Sequence, residues 1–281
     1  MKVAAIQMVS GTDVQGNLAA AAQLLAAAAQ DGAELAVLPE YFCVLGRVDT
    51  DKLRVRESFG DGAIQGFLAD MARKLKLWIV GGTLPLALPN STLEPLPYGH
   101  LAKVHNASLV FSPDGVCVAR YDKIHLFQFD NGQEQFDEAR TLQAGKLPQL
   151  FTLASRDGSV WRIGLSVCYD LRFPELYRYY AAQNADLLLV PSAFTYSTGQ
   201  AHWEILLRAR AIENQAFVVA AAQGGLHENG RQTWGHSAIV GPWGEVIAQL
   251  PADAGVVCCE LDIAGRQACA NKIPALAHRV L

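Results

Sequence analysis

Short apolar runs and segments with helical spacing of apolar residues follow one another along the whole chain. The first kind predicts strands, in the order "KVAAIQMV", "ELAVLP", "WRIGLSVC", "DLLLVPSAF", "AFVVAAAQ", "GHSAIVGP", "EVIAQL" and "AGVVCCELDI". The second kind predicts helices at "GAIQGFLADMARKLKL", "PELYRYYAAQ" and "AHWEILLRARAIENQ". An alanine-rich segment near the start predicts one more helix, with Asp13 as its N-cap and Gly32 at its end.

The connections between these elements differ in character. "KVHNASLVFSPDGVCVARYDK" predicts a hairpin around the turn Pro113-Asp114-Gly115, and "WIVGGTLPL" before it is β-like. The region from Leu86 to Gly99 is rich in proline and predicts a loop. Residues 128 to 149 are polar and irregular, and a connection of that length suggests a functional loop.

Strands outnumber helices in this pattern, and several neighbouring strands are joined closely enough to be antiparallel. A layered α/β sandwich therefore fits the pattern better than a doubly wound parallel sheet. Neither a Pro/Gly/Ser-rich linker nor an internal repeat divides the sequence. We therefore expect a single domain over residues 1–281.

Composition and charge exclude several classes of protein. The chain has 281 residues, of which 51% are hydrophobic and 18% charged, with a net charge of -4, as in an ordinary globular protein. This slight excess of acid gives no electrostatic footprint for nucleic acid, and no basic cluster flanks an apolar anchor for a membrane surface. "MKVAAIQMVS" lacks a signal-peptide pattern, so a cytoplasmic location is expected. The six scattered cysteines are then expected to be reduced thiols.

Several common catalytic signatures do not occur. There is no G-x-G-x-x-G and no G-x-x-x-x-G-K-[ST], and "HENGR" lacks the second histidine of a zinc motif. The seven histidines are dispersed. The expected site therefore uses neither a metal nor a cofactor.

The segment "GLSVC" offers two nucleophiles, Ser166 and Cys168, two apart on one predicted strand. A nucleophile elbow places the reactive side chain at a strand-to-helix turn. Ser166 lies inside the predicted strand, whereas Cys168 stands at its end, before a short turn and a helix. Because a thiolate is also the stronger nucleophile, Cys168 is the better candidate.

Two further strand ends carry residues that a thiol nucleophile needs. Glu40 follows the buried strand "LAVLP", where poor solvation would raise its pKa toward the range of a general base. Lys123 ends a hairpin strand, where a cation would lower the pKa of the cysteine and meet an oxyanion. Taken alone, Glu40 would be a cap or salt-bridge residue and Lys123 a surface lysine. The three together are a more specific combination.

The motifs "LPEYF", "YDKIHLF" and "GLSVCYDLRFPELYR", in this order, resemble the nitrilase superfamily of carbon–nitrogen hydrolases. The resemblance covers essentially the whole chain. It implies an α-β-β-α four-layer sandwich in which two subunits join into an eight-layered dimer or a higher homo-oligomer.

The same resemblance implies roles for matched residues. Glu40 would be the general base, Lys123 the oxyanion stabiliser and Cys168 the nucleophile that forms a thioester. The backbone N–H of Tyr169 would complete the oxyanion hole. Glu138 in "FDEARTLQAG" would position the lysine, and Glu134 is a weaker candidate for that role.

Two branches of the family are similar to the second half of the chain. Nitrilases usually follow the cysteine with Trp-Glu, so Tyr169-Asp170 favours amides over nitriles. "AFVVAAAQGGLHENGRQTWGHSAIVGPWGEV" resembles the amidases that hydrolyse deaminated glutathione to 2-oxoglutarate and cysteinylglycine, a metabolite repair reaction. The alternative branch is omega-amidase, which acts on 2-oxoglutaramate or 2-oxosuccinamate. "TYST", residues 195 to 198, is a signature of neither branch.

A small-molecule amide that bears carboxylates needs cations or hydrogen-bond donors near Cys168. Arg172 is a candidate for substrate binding, but it is also spaced to form a structural ion pair with Glu175. Phe194, Thr195 and Thr198 follow the next strand and are candidates for the pocket wall. His202 and Trp203, at the predicted start of a helix, would either bind there or pack.

Two rival interpretations remain open. A cysteine hydrolase with His125 as base would show a rate limb near the ordinary imidazole pKa of about 6.5. A catalytically silent interaction protein would retain the sandwich for assembly alone. Such a protein need not keep Glu40, Lys123 and Cys168 together.

Overall fold

The computed structural model describes residues 1–89, 103–132 and 134–280, which form two large β-sheets, two small two-stranded sheets and six α-helices. The helices are α1 (Val14–Gln30), α2 (Asp51–Arg54), α3 (Ala63–Leu75), α4 (Pro174–Ala182), α5 (Tyr196–Asn214) and α6 (Ile263–Lys272). Two 3₁₀ helices cover Glu138–Arg140 and Cys168–Arg172.

The strands are short, and most are three to six residues long. In chain order they are β1 (Lys2–Gln7), β2 (Leu35–Val37), β3 (Trp78–Val80), β4 (Leu84–Ala87), β5 (Val104–Phe111), β6 (Cys117–Asp122), β7 (Gln128–Asp130), β8 (Gln135–Asp137), β9 (Leu150–Ala154), β10 (Val160–Leu165), β11 (Leu187–Leu189), β12 (Phe217–Ala220), β13 (Gly224–Leu226), β14 (Gln232–Trp234), β15 (Ala238–Val240), β16 (Val246–Gln249) and β17 (Gly255–Glu260).

Each large sheet has a parallel centre and antiparallel edges. The first has the order β17-β1-β2-β3-β5-β4, with β6 also paired to β5, and β1, β2 and β3 are parallel. The second has the order β16-β15-β12-β11-β10-β9, and β10, β11 and β12 are parallel. Parallel neighbours end at the same edge of a sheet, so the segments that follow β2 and β10 can carry one site.

The layers follow from the alternation of side chains along the strands. In β1, Val3 and Ala5 face a core shared with the second sheet, while Ala4 and Ile6 face helices α1 and α3. The far side of the second sheet is covered by α4 and α5, and a side chain at Gly164 would meet the ring of Tyr180 on α4. The predicted α-β-β-α sandwich is therefore confirmed.

Several predicted elements have the bounds that their signals indicated. Asp13 caps α1 by accepting a hydrogen bond from the Gly16 N–H (2.7 Å), as expected of an N-cap aspartate. The hairpin β5–β6 and helix α3 lie where the pattern placed them, and Pro174 opens α4. Among the described residues, no helix is both long and apolar enough to cross a membrane.

Other predictions were wrong in part. The segment 128–149 is not irregular throughout, because it contains the hairpin β7–β8 and a 3₁₀ helix. Helix α5 begins at Tyr196, before the predicted start, so His202 and Trp203 lie within it. Leu86 belongs to β4 rather than to a loop, and most of the predicted loop up to Gly99 lies outside the described residues. The hairpin β13–β14 was not predicted.

Candidate active site

Cys168 occupies a turn at the end of the second sheet. Strand β10 stops at Leu165, and Cys168 opens the 3₁₀ helix Cys168–Arg172 with a φ of 49°. A side chain with positive φ is strained, and such strain is concentrated at functional sites. The backbone N–H of Cys168 donates to the carbonyl of Pro191 (2.9 Å), which holds the turn in place.

The two candidate nucleophiles do not share one strand, contrary to the prediction. Ser166 lies beyond the last residue of β10, and its Oγ donates to the carbonyl of Leu189 (2.8 Å). The same hydroxyl is 2.7 Å from the phenol oxygen of Tyr177. Ser166 is buried with both bonds made, so the structure assigns it a packing role and leaves Cys168 as the candidate.

Glu40 is buried at the edge of the first sheet, in the loop that follows β2. One carboxylate oxygen accepts hydrogen bonds from the Asn106 Nδ2 (2.8 Å) and the Lys123 Nζ (2.9 Å). The other accepts one from the backbone N–H of Ala193 (3.0 Å), which follows β11 of the opposite sheet. Each oxygen is thus held in place, and the carboxylate contacts both sheets.

Lys123 follows β6 and points inward, so it is not a surface lysine. Its side chain is fully buried between two carboxylates, 2.9 Å from Glu40 and 2.8 Å from Glu138. Glu138 in turn accepts hydrogen bonds from the Phe127 N–H (2.7 Å) and the Tyr41 hydroxyl (2.8 Å). Glu134 lies in the exposed turn between β7 and β8, so the structure brings Glu138 and not Glu134 to the lysine.

Burial and charge determine the protonation states of these groups. Burial raises the pKa of Glu40 above its ordinary value, although Lys123 opposes the rise. Burial would lower the pKa of Lys123, but Glu138 and Glu40 raise it more, so the ammonium stays protonated. Burial also acts to raise the pKa of Glu138, but Lys123 outweighs it and lowers that pKa overall.

The thiol is neutral at rest. Burial and the neighbouring Glu40 raise the pKa of Cys168 well above its ordinary value, and Lys123 opposes them without prevailing. Lys123 thus acts in the expected direction on the pKa of the cysteine, but burial and Glu40 outweigh it in the resting state. The carboxylate of Glu40 is close enough to raise this pKa, so a proton acceptor lies beside the thiol.

One backbone donor beside the thiol is unused. Within the described chain, the N–H of Tyr169 makes no hydrogen bond, although those of Cys168 and Asp170 on either side do. It lies next to the sulfur in sequence, at the start of the 3₁₀ helix. This N–H is therefore available to an oxygen that develops negative charge near Cys168, on the side of the thiol where the Lys123 ammonium could also donate.

Two clefts meet at Cys168 and share Phe127 and Ala193. The larger, about 50 Å³, is lined by Glu40, Tyr41, Lys52, Phe136, Glu138 and Arg231, among others. The smaller, about 20 Å³, is lined by Tyr169, Arg172, Phe194, Thr195 and Thr198. All four tentative pocket residues thus lie beside the thiol.

Arg172 does not form the structural ion pair that its spacing allowed. In the described structure it makes no salt bridge to Glu175, and its guanidinium instead lies 3.2 Å from the Nδ1 of His202 on α5. It also sits over the rings of Tyr169 (5.9 Å) and Phe194 (5.5 Å). Among the residues that the structure describes, its charge has no carboxylate partner, and it lines the smaller cleft.

His125 is engaged elsewhere. Its Nδ1 lies 2.7 Å from the carboxylate of Asp170, and its ring stacks on Phe173 with centroids 3.7 Å apart. Asp170 also accepts bonds from the Tyr121 hydroxyl (2.6 Å) and the Val167 N–H (2.8 Å). This buried carboxylate ties the 3₁₀ helix of the cysteine to the first sheet.

Sequence reasoning missed Asn106, Tyr41 and Asp170. Asn106 lies inside a strand, where a polar residue is normally assigned to the exposed face, and nothing in the sequence marks it. Asp170 is two residues after the cysteine, and a carboxylate so close to a nucleophile was the signal available. Among the described residues, no group of three His, Cys, Asp or Glu side chains is arranged to hold a metal ion.

Comparison with known proteins identifies the class. The family model for carbon-nitrogen hydrolases matches residues 2–271, and the chain belongs to this family. The chain is 38% identical over 279 residues to a deaminated glutathione amidase of Synechocystis, with 99% of this chain and 97% of the relative covered. It is 33% identical to the omega-amidase NIT2-A of Xenopus laevis, with 99% and 94% covered.

Solved structures agree with the fold. Nit3 of Saccharomyces cerevisiae, described as a member of branch 10 of the nitrilase superfamily, matches with a TM-score of 0.84 at 30% identity, over 100% of this chain and 97% of that one. An amidase variant from Nesterenkonia matches with a TM-score of 0.78 at 26% identity, over 100% and 94%. That structure carries the acetamide moiety of fluoroacetamide covalently on its active-site cysteine. The resemblance that the motifs indicated is confirmed.

Proposed function

We propose that Cys168, Glu40 and Lys123 are the catalytic triad of this carbon–nitrogen hydrolase. Its proposed substrate is deaminated glutathione, cleaved to 2-oxoglutarate and cysteinylglycine. One observation carries the triad: the buried Lys123 ammonium is 2.9 Å from Glu40, Glu40 and Cys168 line the same cleft, and the charges of Glu40 and Lys123 both act on the pKa of the thiol. Burial of three such groups is expensive and is seldom retained without function.

The geometry supports the following acylation step. Glu40 accepts the thiol proton as the sulfur of Cys168 attacks the amide carbonyl carbon. The carbonyl oxygen becomes an oxyanion and takes hydrogen bonds from the Lys123 ammonium and the Tyr169 N–H. The tetrahedral intermediate collapses, the carbon–nitrogen bond breaks, and Glu40 returns its proton to the leaving amine. An acyl thioester on Cys168 remains.

Hydrolysis of the thioester uses the same groups in reverse. Glu40 takes a proton from water, the hydroxide adds to the thioester carbon, and the carbon–sulfur bond breaks as the thiol recovers its proton. The acid product leaves. Glu138 contributes by holding the ammonium of Lys123, so that this donor keeps its place and its charge while Glu40 changes protonation state.

The substrate is inferred from the relatives and from the charges of the clefts. The Synechocystis relative bears the name of the proposed activity. Deaminated glutathione carries a carboxylate at each end, on the oxo-acid and on the glycine. Arg172 in the smaller cleft has no carboxylate partner in the described structure, which suits the short oxo-acid end.

Omega-amidase activity is the second candidate. The Xenopus relative supports it. 2-Oxoglutaramate has the same acyl group as deaminated glutathione and differs from it only in the leaving amine, whereas the acyl chain of 2-oxosuccinamate is one methylene shorter. An amidase with this site would hydrolyse both kinds of amide to some extent. The two candidates are therefore distinguished by preference and not by the presence of activity.

A paired turnover assay tests the proposal. Deaminated glutathione and 2-oxoglutaramate would be compared by kcat/KM, with Cys168→Ala as the blank and Cys269→Ala as a matched control at a distant cysteine. We expect turnover that Cys168→Ala abolishes and Cys269→Ala leaves intact, with preference for deaminated glutathione. Preference for 2-oxoglutaramate would make the protein an omega-amidase. No turnover of either above the blank would refute the substrate assignment.

We further propose that the protein is a homodimer or higher homo-oligomer that works in the cytoplasm as one domain. Ile205 and Ile212, seven residues apart on α5, are 70% and 51% exposed on one face of that helix, which suits an interface. Sedimentation of the protein and of Ile205→Glu would test the assembly. The six cysteines are all free thiols, as a cysteine nucleophile in a reducing compartment requires.

A further inference from the structure

Two cations in the larger cleft have no role in the mechanism above. Lys52 belongs to α2 and Arg231 precedes β14, and both line the cleft that also contains Glu40 and Cys168. We propose that Lys52 and Arg231 bind a carboxylate on the leaving amine and so select substrates whose amine portion is acidic. This inference rests on the proposed function, and it identifies the specificity determinant for the end of the substrate opposite Arg172.

The two cations differ from their neighbours in lacking counter-ions. In the described part of the chain, neither forms a salt bridge. By contrast, Arg47 pairs with Glu228 (2.8 Å), and Arg54, on the same helix as Lys52, pairs with Asp51 (3.7 Å). In the described part of this region, the cations away from the cleft thus have carboxylate partners, and the two that face the cleft do not.

Both cations are held by neutral surfaces that do not cancel their charge. The Nζ of Lys52 lies over the ring of Tyr41 (5.3 Å) and donates to the Thr141 hydroxyl at 3.3 Å. The guanidinium of Arg231 lies over the ring of Phe136 (4.8 Å). An aromatic ring orients a cation and leaves its N–H groups available to an anion.

The larger cleft is lined by the carboxyl groups of Glu40, Asp49, Asp137 and Glu138 as well as by Lys52 and Arg231, so it favours an anion only beside the two cations. Burial lowers the pKa of Lys52, the carboxylates of Glu138 and Asp49 only partly offset this, and the charges of Lys123 and Arg231 lower it slightly further. A carboxylate placed between Lys52 and Arg231 would oppose the effect of burial further, because it would give both cations a direct counter-ion.

The mechanism determines which end of the substrate enters this cleft. Glu40 must reach the leaving nitrogen to protonate it, and Glu40 lines the larger cleft but not the smaller. Tyr169, whose N–H meets the oxyanion, lines the smaller cleft with Arg172. The acyl group therefore lies toward Arg172, and the amine leaves toward Lys52 and Arg231.

The size of the clefts agrees with this orientation. The acyl part of deaminated glutathione is a short oxo-acid, whereas its amine part is a dipeptide that spans about 7 Å when extended. The larger cleft offers more room than the smaller one for the dipeptide, and both cations lie on its wall. Free ammonia, the leaving amine of 2-oxoglutaramate, makes no use of either cation.

Three amides with one acyl group separate this contribution from the rest of catalysis. They are deaminated glutathione, its analogue with the glycine carboxylate converted to an amide, and 2-oxoglutaramate. The enzymes would be the wild type, Lys52→Met, Arg231→Gln and the double variant. Arg54→Gln is the matched control, because it removes an equal charge from the same helix at a paired and exposed position.

We expect each single variant to lower kcat/KM for deaminated glutathione about 10- to 100-fold relative to 2-oxoglutaramate, mainly through KM, as loss of a charge-assisted hydrogen bond predicts. Conversion of the glycine carboxylate to an amide should lower kcat/KM of the wild type as much as the double variant lowers kcat/KM for deaminated glutathione. Arg54→Gln should leave the ratio of the two substrates as in the wild type.

The inference and the proposed function fail in different ways. In one outcome, the wild type prefers deaminated glutathione while the variants lower kcat/KM for both substrates equally, or for neither. That result would refute the carboxylate site and leave the proposed function standing. If the wild type accepts the amidated analogue as well as deaminated glutathione, the site is likewise refuted. If the wild type turns over no amide above the Cys168→Ala blank, the proposed function and this inference fall together.

Discussion

Replacement of Lys123 by methionine removes the one cation between two buried carboxylates. In the described structure Lys123 contacts both Glu40 and Glu138, and its side chain is fully buried. Methionine fills a similar volume without charge, so Glu40 and Glu138 would face each other with no counter-ion at that point. Removal of one partner of a buried ion pair is strongly destabilising, because the remaining charge is neither hydrated nor paired.

The size of the effect is limited by protonation. A carboxyl with an ordinary pKa of 4.5 can escape an unfavourable charge by binding a proton, at about 1.36 kcal/mol per pH unit above that value. Protonation of one carboxyl therefore limits the loss of folding stability to about 3.4 kcal/mol at pH 7 and to less than about 1 kcal/mol at pH 5. For a chain of this length, about 3 kcal/mol lowers the Tm by about 6 °C.

The pH dependence has a definite sign. In Lys123→Met the folded pKa values of the two carboxyls lie above the unfolded ones, so the folded state binds protons more tightly than the unfolded state. Stability is then fully present below the unfolded pKa and is lost as the pH rises through the folded values. The variant should therefore lie closer to the wild type at pH 5 than at pH 7.

Urea unfolding of both proteins at pH 5 and pH 7 measures this difference. Lys74→Met, at an exposed position of α3, is the matched control and should be neutral at both pH values. The double variant Lys123→Met/Glu138→Gln removes one of the stranded charges and should regain most of the loss at pH 7. Equal destabilisation at both pH values, or no recovery in the double variant, would refute the charge argument.

Three further changes probe the parts of the site that follow from its geometry. Burial raises the pKa of Glu40 above 4.5, so the acid limb of the kcat/KM profile should lie above pH 4.5, and a limb below pH 4.5 would contradict this. Glu40→Gln removes the general base and should lower turnover about 10²–10⁴-fold. Gly82→Ala should destabilise the fold and slow the enzyme, because φ is 46° there and a Cβ would lie 1.9 Å from the Pro39 carbonyl oxygen. Gly66→Ala, in open space on α3, is the control and should raise the Tm measured by calorimetry. Asp170→Asn should cost about 2–3 kcal/mol in urea unfolding, since this buried carboxylate accepts four hydrogen bonds; a neutral result would show that the bonds are dispensable.

Local patterns predicted the longer elements well, because their causes are local. The apolar face of α3 and the turn of the β5–β6 hairpin depend on residues a few positions apart. The three-residue strands β13 and β14 carry too few side chains to show a period, and their pairing depends on the rest of the site. The end of β10 was misjudged because "LSVC" continues the apolar run past the point where pairing stops.

The same limit applies to the site. The chemical types of Glu40, Lys123 and Cys168, and their order along the chain, are visible in the sequence. The sequence does not show whether Arg172 pairs with Glu175 or faces a cleft, since the spacing of the two residues allows both. Tyr169 and Phe194 follow the ends of two different strands, and their rings together hold Arg172 toward the cleft.

The sequence by itself determined the layered α/β fold, the family, and the residues proposed to carry the chemistry. The tertiary structure alone decided the environment of those residues. Glu40 and Lys123 are 83 positions apart in the chain and 2.9 Å apart in space, and Ala193 closes the same cluster from the second sheet. Burial, which raises the pKa of Glu40 and keeps the Cys168 thiol neutral, arises only when both sheets pack together, because no local segment can exclude water from a charge.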